Sequence, residues 1–127
     1  MNLLVLDKLL WGMQGFLAVT FLIAGSAKLF QSPAKVARLV PASFPLTFLR
    51  VLGALEILGA VGIVLPLMIN VLPVVTLVAA ACMGLVLLGA GVVHWQNKQF
   101  SKLPMLVVLL ALSITVTVGR YFLLEGT

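Results

Sequence analysis

Three acidic residues occur in the 127-residue sequence, Asp7, Glu56 and Glu125, and of these Glu56 stands deepest inside an apolar run. The spacing Gly53-x-x-Glu56-x-x-Gly59-Ala60-x-Gly62 surrounds the carboxylate with small residues, so another helix or a ligand can approach it closely. A carboxyl group so placed can clamp helices together, carry a proton or anchor a ligand. Lys28, Arg50 and His94 form a second set, each near the end of an apolar run. If they converge, they make a cationic cup above Glu56, suited to a lipid headgroup, a quinone carbonyl or an anionic partner. The plainer uses are snorkelling anchors for Lys28 and Arg50 and a dipole cap for His94.

Other chemistry is missing from the pattern. One His and one Cys twelve residues apart make no metal site, and no nucleophile, base and acid stand at catalytic spacing. No Gly-rich phosphate loop occurs either. The single thiol, Cys82, cannot form an internal disulfide, and we read it as a small buried apolar residue. No autonomous catalytic constellation is visible.

The elements that must hold these groups follow from composition. The chain is 63% hydrophobic and 9% charged, against roughly 45–50% and about 25% in soluble domains. Lipid must therefore face most of its surface, which excludes a soluble globular domain, a disordered tail and a secreted disulfide scaffold. With about 20 residues per span, four helices use most of the length. The expected fold is all-α and integral to the membrane, a four-transmembrane-helix bundle forming one domain over 1–127. Its spans fall at about 9–29, 46–67, 72–95 and 103–123.

Between the first two spans, Ser32 as N-cap and Pro33 at the first helical position open a short interfacial helix. Val36, Leu39 and Val40 fall on one side of it, Lys35 and Arg38 towards the other, and Pro41 and Pro45 redirect the chain. The 41 residues from Ile57 to Asn97 carry no formal charge and are too long for one span. Pro66, Asn70 and Pro73 mark the turn that divides them. Pro104 sits where a helix-opening proline would begin the fourth span. Helix three is rich in small residues, and its Ala80-x-x-x-Gly84 pair permits close packing inside the bundle, with homo-oligomer contact as a second use.

Glu56 lies about ten residues into the second span, roughly 15 Å from its end and near the bilayer midplane. Thr20, Cys82 and Ser113 fall at a similar depth on the other helices. The expectation is a midplane polar layer of Thr20, Glu56, Cys82 and Ser113, with Glu56 bonded to a side chain or backbone carbonyl within it.

Orientation follows from the cations. Lys28, Lys35, Arg38, Arg50, Lys98 and Lys102 fall on the side of the first and third loops, and Lys8 and Arg120 on the other. The positive-inside rule places those loops in the cytoplasm and both termini outside, with Trp11, Arg120 and Tyr121 near the outer interface and Trp95 near the inner one. Leu9–Ala27 is longer than a signal-peptide core, so we expect the first span to be retained. The net charge of +5 does not imply nucleic-acid binding, because no basic run alternates with exposed aromatics.

Helix one ends in Phe21-Leu-Ile-Ala-Gly-Ser-Ala-Lys28-Leu-Phe30. A proline-containing loop follows, then Arg50-Val-Leu-Gly-Ala-Leu-Glu56-Ile-Leu-Gly-Ala-Val-Gly-Ile-Val-Leu-Pro66, and helix three ends in His94. Across nearly its whole length the chain resembles the DoxX-like family of small four-span membrane proteins, which is related to an assembly chaperone family for nicotinic receptors. Carried over by position, the family's polar residues are Lys28, Arg50, Glu56 and His94. The resemblance implies one of two roles. One is a non-catalytic factor in a bacterial inner membrane that binds lipid, quinone or another membrane protein. The other is a subunit of a quinone-linked redox complex, as in the thiosulfate:quinone oxidoreductase that named the family, with Glu56 and His94 holding the quinone and passing its protons. Proton-coupled transport of a small solute is a third alternative.

Overall fold

The computed structural model describes residues 2–39 and 44–125. Five α-helices follow in order: α1 (Leu3–Phe30), α2 (Pro33–Leu39), α3 (Leu46–Met68), α4 (Val74–Gln96) and α5 (Leu103–Glu125), with a 3-10 turn, Phe100–Lys102, before the last. Four helical segments are long and apolar enough to cross a membrane, and α2 is the short helix expected between the first two. They form an up-down bundle in which α1 packs on α3, α3 on α4, α4 on α5 and α5 back on α1. The α2 end carries the first and third connections. The terminal end carries Asn2, Glu125 and the α3–α4 turn.

Helix α1 starts six residues before the span expected from hydropathy. Asn2 accepts a hydrogen bond from the Leu4 amide at 2.8 Å, so a capped start extends the helix through Asp7 and Lys8. At 28 residues it is about 42 Å long, more than the roughly 30 Å hydrocarbon layer needs. Helix α2 is capped as expected, with the Ser32 hydroxyl accepting from the Lys35 amide. Val36 is its fully buried anchor, whereas Lys35 and Arg38 are exposed. The calls on Val40 and Pro41 lie outside the described residues.

Helix α3 runs through Pro66 and stops two residues later, at Met68. Asn70 takes a left-handed φ of 56°, and the Val71 amide returns to the Pro66 carbonyl, which closes the α3–α4 turn. Leu103 opens α5 one residue before Pro104, whose missing N–H falls among the amides that a first turn leaves unpaired.

Each long helix turns a narrow stripe inward: Leu10, Gln14, Leu17, Ala18, Phe21 and Gly25 on α1; Leu49, Gly53, Glu56, Ala60 and Ile63 on α3. Helix α4 contributes Thr76, Ala80, Met83, Gly84 and Leu87, and α5 contributes Leu109, Ser113, Val116 and Arg120. The opposite faces present exposed Leu, Val, Ile and Phe, as lipid contact requires. Cys82 corrects its expectation, because the core stripe of α4 passes through positions 80, 83, 84 and 87 and leaves the thiol on the exposed face.

The closest helix crossing is α1 on α3. A Cβ on Gly25 would lie 2.6 Å from the Gly53 carbonyl oxygen, and one on Gly53 would lie 2.7 Å from the Gly25 carbonyl oxygen. Backbone meets backbone at this point, so neither side can yield. Gly25→Ala and Gly53→Ala should each lower stability by about 1–3 kcal/mol, read as a lower unfolding midpoint in detergent. Gly12→Ala, with open space around its Cβ, should leave the midpoint in place or raise it. Equal midpoints for all three variants would contradict the crossing.

Candidate functional site

Lys28 and Glu56 each stand three residues beyond a crossing glycine, on the face turned to the other helix. The Lys28 ammonium donates to both Glu56 carboxylate oxygens, at 2.8 and 3.1 Å. The carboxylate side chain is 4% exposed and the lysine 15%, so the pair is largely shut off from the surroundings. A buried carboxylate needs such a partner, because its desolvation is otherwise uncompensated.

The first turn of α3 overhangs the end of α1, and Arg50 uses that offset. One guanidinium nitrogen donates to the carbonyls of Lys28 and Leu29, at 3.0 and 2.6 Å. These are among the last four carbonyls of α1, which have no partner within the helix. Arg50 thus caps α1 from a neighbouring helix, with its charge at the negative dipole end.

A cavity of about 290 Å³ opens beside the ion pair, between α3 and α4. Lys28, Glu56 and His94 supply its polar wall. Leu39, Phe44, Phe48, Leu49 and Leu52 line it from the end of α2, the connection that follows and the start of α3, with Val86, Gly89, Ala90 and Val93 from α4. The cause is local packing. Towards the terminal end the two helices close up, and a Cβ on Gly62 would stand 3.2 Å from that of Ala79. Towards the α2 end α4 offers Gly89 and Ala90, too small to fill the space, and nothing lies within 4 Å of a Cβ on Gly89. His94 is oriented by a 2.9 Å hydrogen bond between its Nδ1 and Gln99 Oε1.

Lys28, Glu56 and His94 therefore share one wall, while Arg50 is withdrawn from it. The cup is not cationic: Glu56 neutralises Lys28, and Arg50 is spent on helix carbonyls. Nor does the midplane layer assemble around Glu56. Thr20 donates to the Phe16 carbonyl of its own helix, and Cys82 faces outward. Ser113 donates to the Ala80 carbonyl at 2.5 Å and packs against Gly84, so the Ala80–Gly84 notch serves internal packing as expected. Depth placed these residues at one level, but each helix's rotation points them elsewhere.

Sequence reasoning missed a second buried cluster at the terminal end. Arg120 lies on the inward stripe of α5, donating to Gln14 Oε1 and Asp7 Oδ1, each at 2.6 Å. Its guanidinium also lies over the Trp11 ring, 5.2 Å from the centroid. Gln14 in turn donates to the Ile63 carbonyl at 2.6 Å, in the turn of α3 that Pro66 loosens by removing a backbone donor. One network therefore joins α1, α3 and α5. Arg120 lies near the terminal end of its span, but its side chain is 4% exposed and works inside the bundle.

The DoxX-like family profile matches residues 12–116. The chain belongs to the DoxX-like family. That match takes in Lys28, Arg50, Glu56 and His94, whereas Asp7 and Arg120 fall outside it. Comparison with curated proteins and with solved structures finds no match. This DoxX-like protein is an integral membrane protein, and every residue of its ion pair and cavity lies within the family-matched segment.

The terminal network predicts an order of effects. Asp7→Leu leaves a buried guanidinium without its counter-charge, a loss of about 1–3 kcal/mol once solvent screening of the partly exposed carboxylate is counted. Arg120→Met leaves a carboxylate whose side chain is 41% exposed and can turn to solvent, so it should cost less. Unfolding midpoints in detergent check this, and the reverse order would show that packing of Arg120, not its charge, holds the network.

Proposed function

We propose that this DoxX-like protein is a non-catalytic binding bundle that takes the head of an uncharged amphiphile, of lipid or quinone class, into the cavity beside Lys28 and Glu56. The observation that carries the reading is one cavity whose polar wall has charges that cancel. An anionic head would have to compete with Glu56 for Lys28. A neutral head with carbonyl or hydroxyl groups can instead use the ammonium hydrogen that Glu56 leaves unbonded and the ring nitrogen of His94 that Gln99 does not occupy. A volume of about 290 Å³ is near the lower end of small-molecule sites, roughly 300–1,000 Å³, and suits a ring or a glycerol-sized head more than a peptide. The tail would lie along the apolar wall of Phe44, Phe48 and Leu52.

The excess of cations at the α2 end supports a cytoplasmic location for that end and an outward location for both termini. The presence of Glu56 and His94 on one cavity wall also favours a second reading, as the quinone-holding subunit of a redox complex. In that case Glu56 and His94 would exchange protons with the bound head. An assembly role would use the same cavity to hold an apolar partner.

Organic extraction of the purified protein followed by mass spectrometry tests the reading. The wild type should yield a neutral amphiphile in near-stoichiometric amount. Gly89→Leu, which fills the cavity from a position with free space, should lose it while keeping its unfolding midpoint. A co-purifying species unaffected by Gly89→Leu, or none at all, would overturn the proposal.

A further inference from the structure

The α2 end of α4 is unsupported on both flanks. Beyond Leu87 the helix buries no further residue through Gln96. One flank faces the cavity just described. The other borders a separate groove of about 350 Å³ between α4 and α5, lined by Leu87, Leu88, Gly91, Val92, Trp95 and Gln96 and by Leu103, Leu106 and Leu110. Apart from the Gln96 side chain, this lining is apolar or aromatic and runs along the two spans.

The connection at the groove's end is charged, although neither of its lysines lines the groove. Gln96 and Leu103 both line it, so the connection between them lies at its end, and that connection carries Lys98 and Lys102. Both lysines are exposed, and neither has an acidic partner among the described residues. Asp7 and Glu125 sit at the opposite end of the bundle, and Glu56 is engaged by Lys28.

Lys98 carries a further mark. It occupies the left-handed position that ends α4, with φ 58°; its amide returns to the Trp95 carbonyl and that of Gln99 to the His94 carbonyl. Glycine is the residue that adopts this conformation without strain, and a lysine there costs roughly 1–2 kcal/mol. A lysine on strained backbone thus stands in the turn that ends α4, two residues beyond the groove-lining Gln96.

We propose that the α4–α5 groove is a binding site for an anionic phospholipid, with an acyl chain along Leu88, Val92 and Leu106 and the headgroup phosphate on Lys98 and Lys102. Trp95, exposed and edge-on to Phe100 at 5.2 Å, lies at the level where chain meets headgroup. The charge of the connection selects this occupant over a neutral lipid, and the site is independent of the neutral-headed cavity across α4.

Native mass spectrometry of the purified full chain, titrated separately with phosphatidylglycerol and phosphatidylcholine of matched chains, tests it. The wild type should retain phosphatidylglycerol at roughly 10–30-fold lower concentration than phosphatidylcholine, as two lysines near a headgroup predict. Lys98→Gly with Lys102→Gln should abolish that preference with the fold intact, since glycine relieves the turn. Gly91→Leu, which fills the groove where nothing lies within 4 Å of its Cβ, should weaken both lipids. Equal retention of the two lipids by the wild type, an undiminished preference in the lysine variant, or a lipid-free dimer seated on this face would overturn the proposal.

Discussion

An ionised Glu56 in the middle of an apolar bundle needs a counter-charge, and supplying one sets the register of α1 on α3. Lys28 reaches it because Gly25 and Gly53 let the two backbones touch, and because α3 begins beyond the end of α1. The same offset brings Arg50 to the open carbonyls of α1. Small residues, ion pair and cap form one device. A Cβ at either glycine would push the backbones apart and lengthen the ion pair, which low dielectric makes sensitive to distance.

That device also decides what the cavity can hold. Two of the cations at the α2 end are spent within the fold, so the wall presents a dipole instead of a positive charge. The cations of the α4–α5 connection, which have no acidic partner among the described residues, lie across α4 from it. The two flanks of one loosely packed helix end thus differ in electrostatic character while sharing apolar depth. At the terminal end the Asp7–Arg120–Gln14 network holds α1, α3 and α5 together, and at the α2 end only α4 is loosely packed, with no buried residue beyond Leu87.

Hydropathy and proline spacing made the four spans and the short α2 legible, because lipid imposes length and apolarity on every spanning helix. The capping role of Ser32, the turn at Asn70 and the packing notch at Ala80 and Gly84 were equally local and equally readable. Helix rotation was not. Counting residues gives depth, but Thr20 and Cys82 show that equal depth does not imply a shared face. The pairing of Lys28 with Glu56 depended on a helix offset that no single span encodes. Arg120 was hidden for a related reason: its position near a span end fits an anchor, and only the inward stripe at 109, 113, 116 and 120 distinguishes it. That spacing was present in the sequence, as was Gln14 in line with Leu10, Leu17 and Phe21, and reading the stripe of every helix would have exposed both.

A double-mutant cycle on Lys28→Met and Glu56→Leu, read by unfolding in detergent, tests the central claim most directly. A buried ion pair that sets helix register predicts that each single change costs about 3–5 kcal/mol, while the apolar double variant loses less than either single one. Additive losses, with the double variant the least stable of the three, would mean that the two charges act separately and that the register of α1 on α3 does not depend on their pairing.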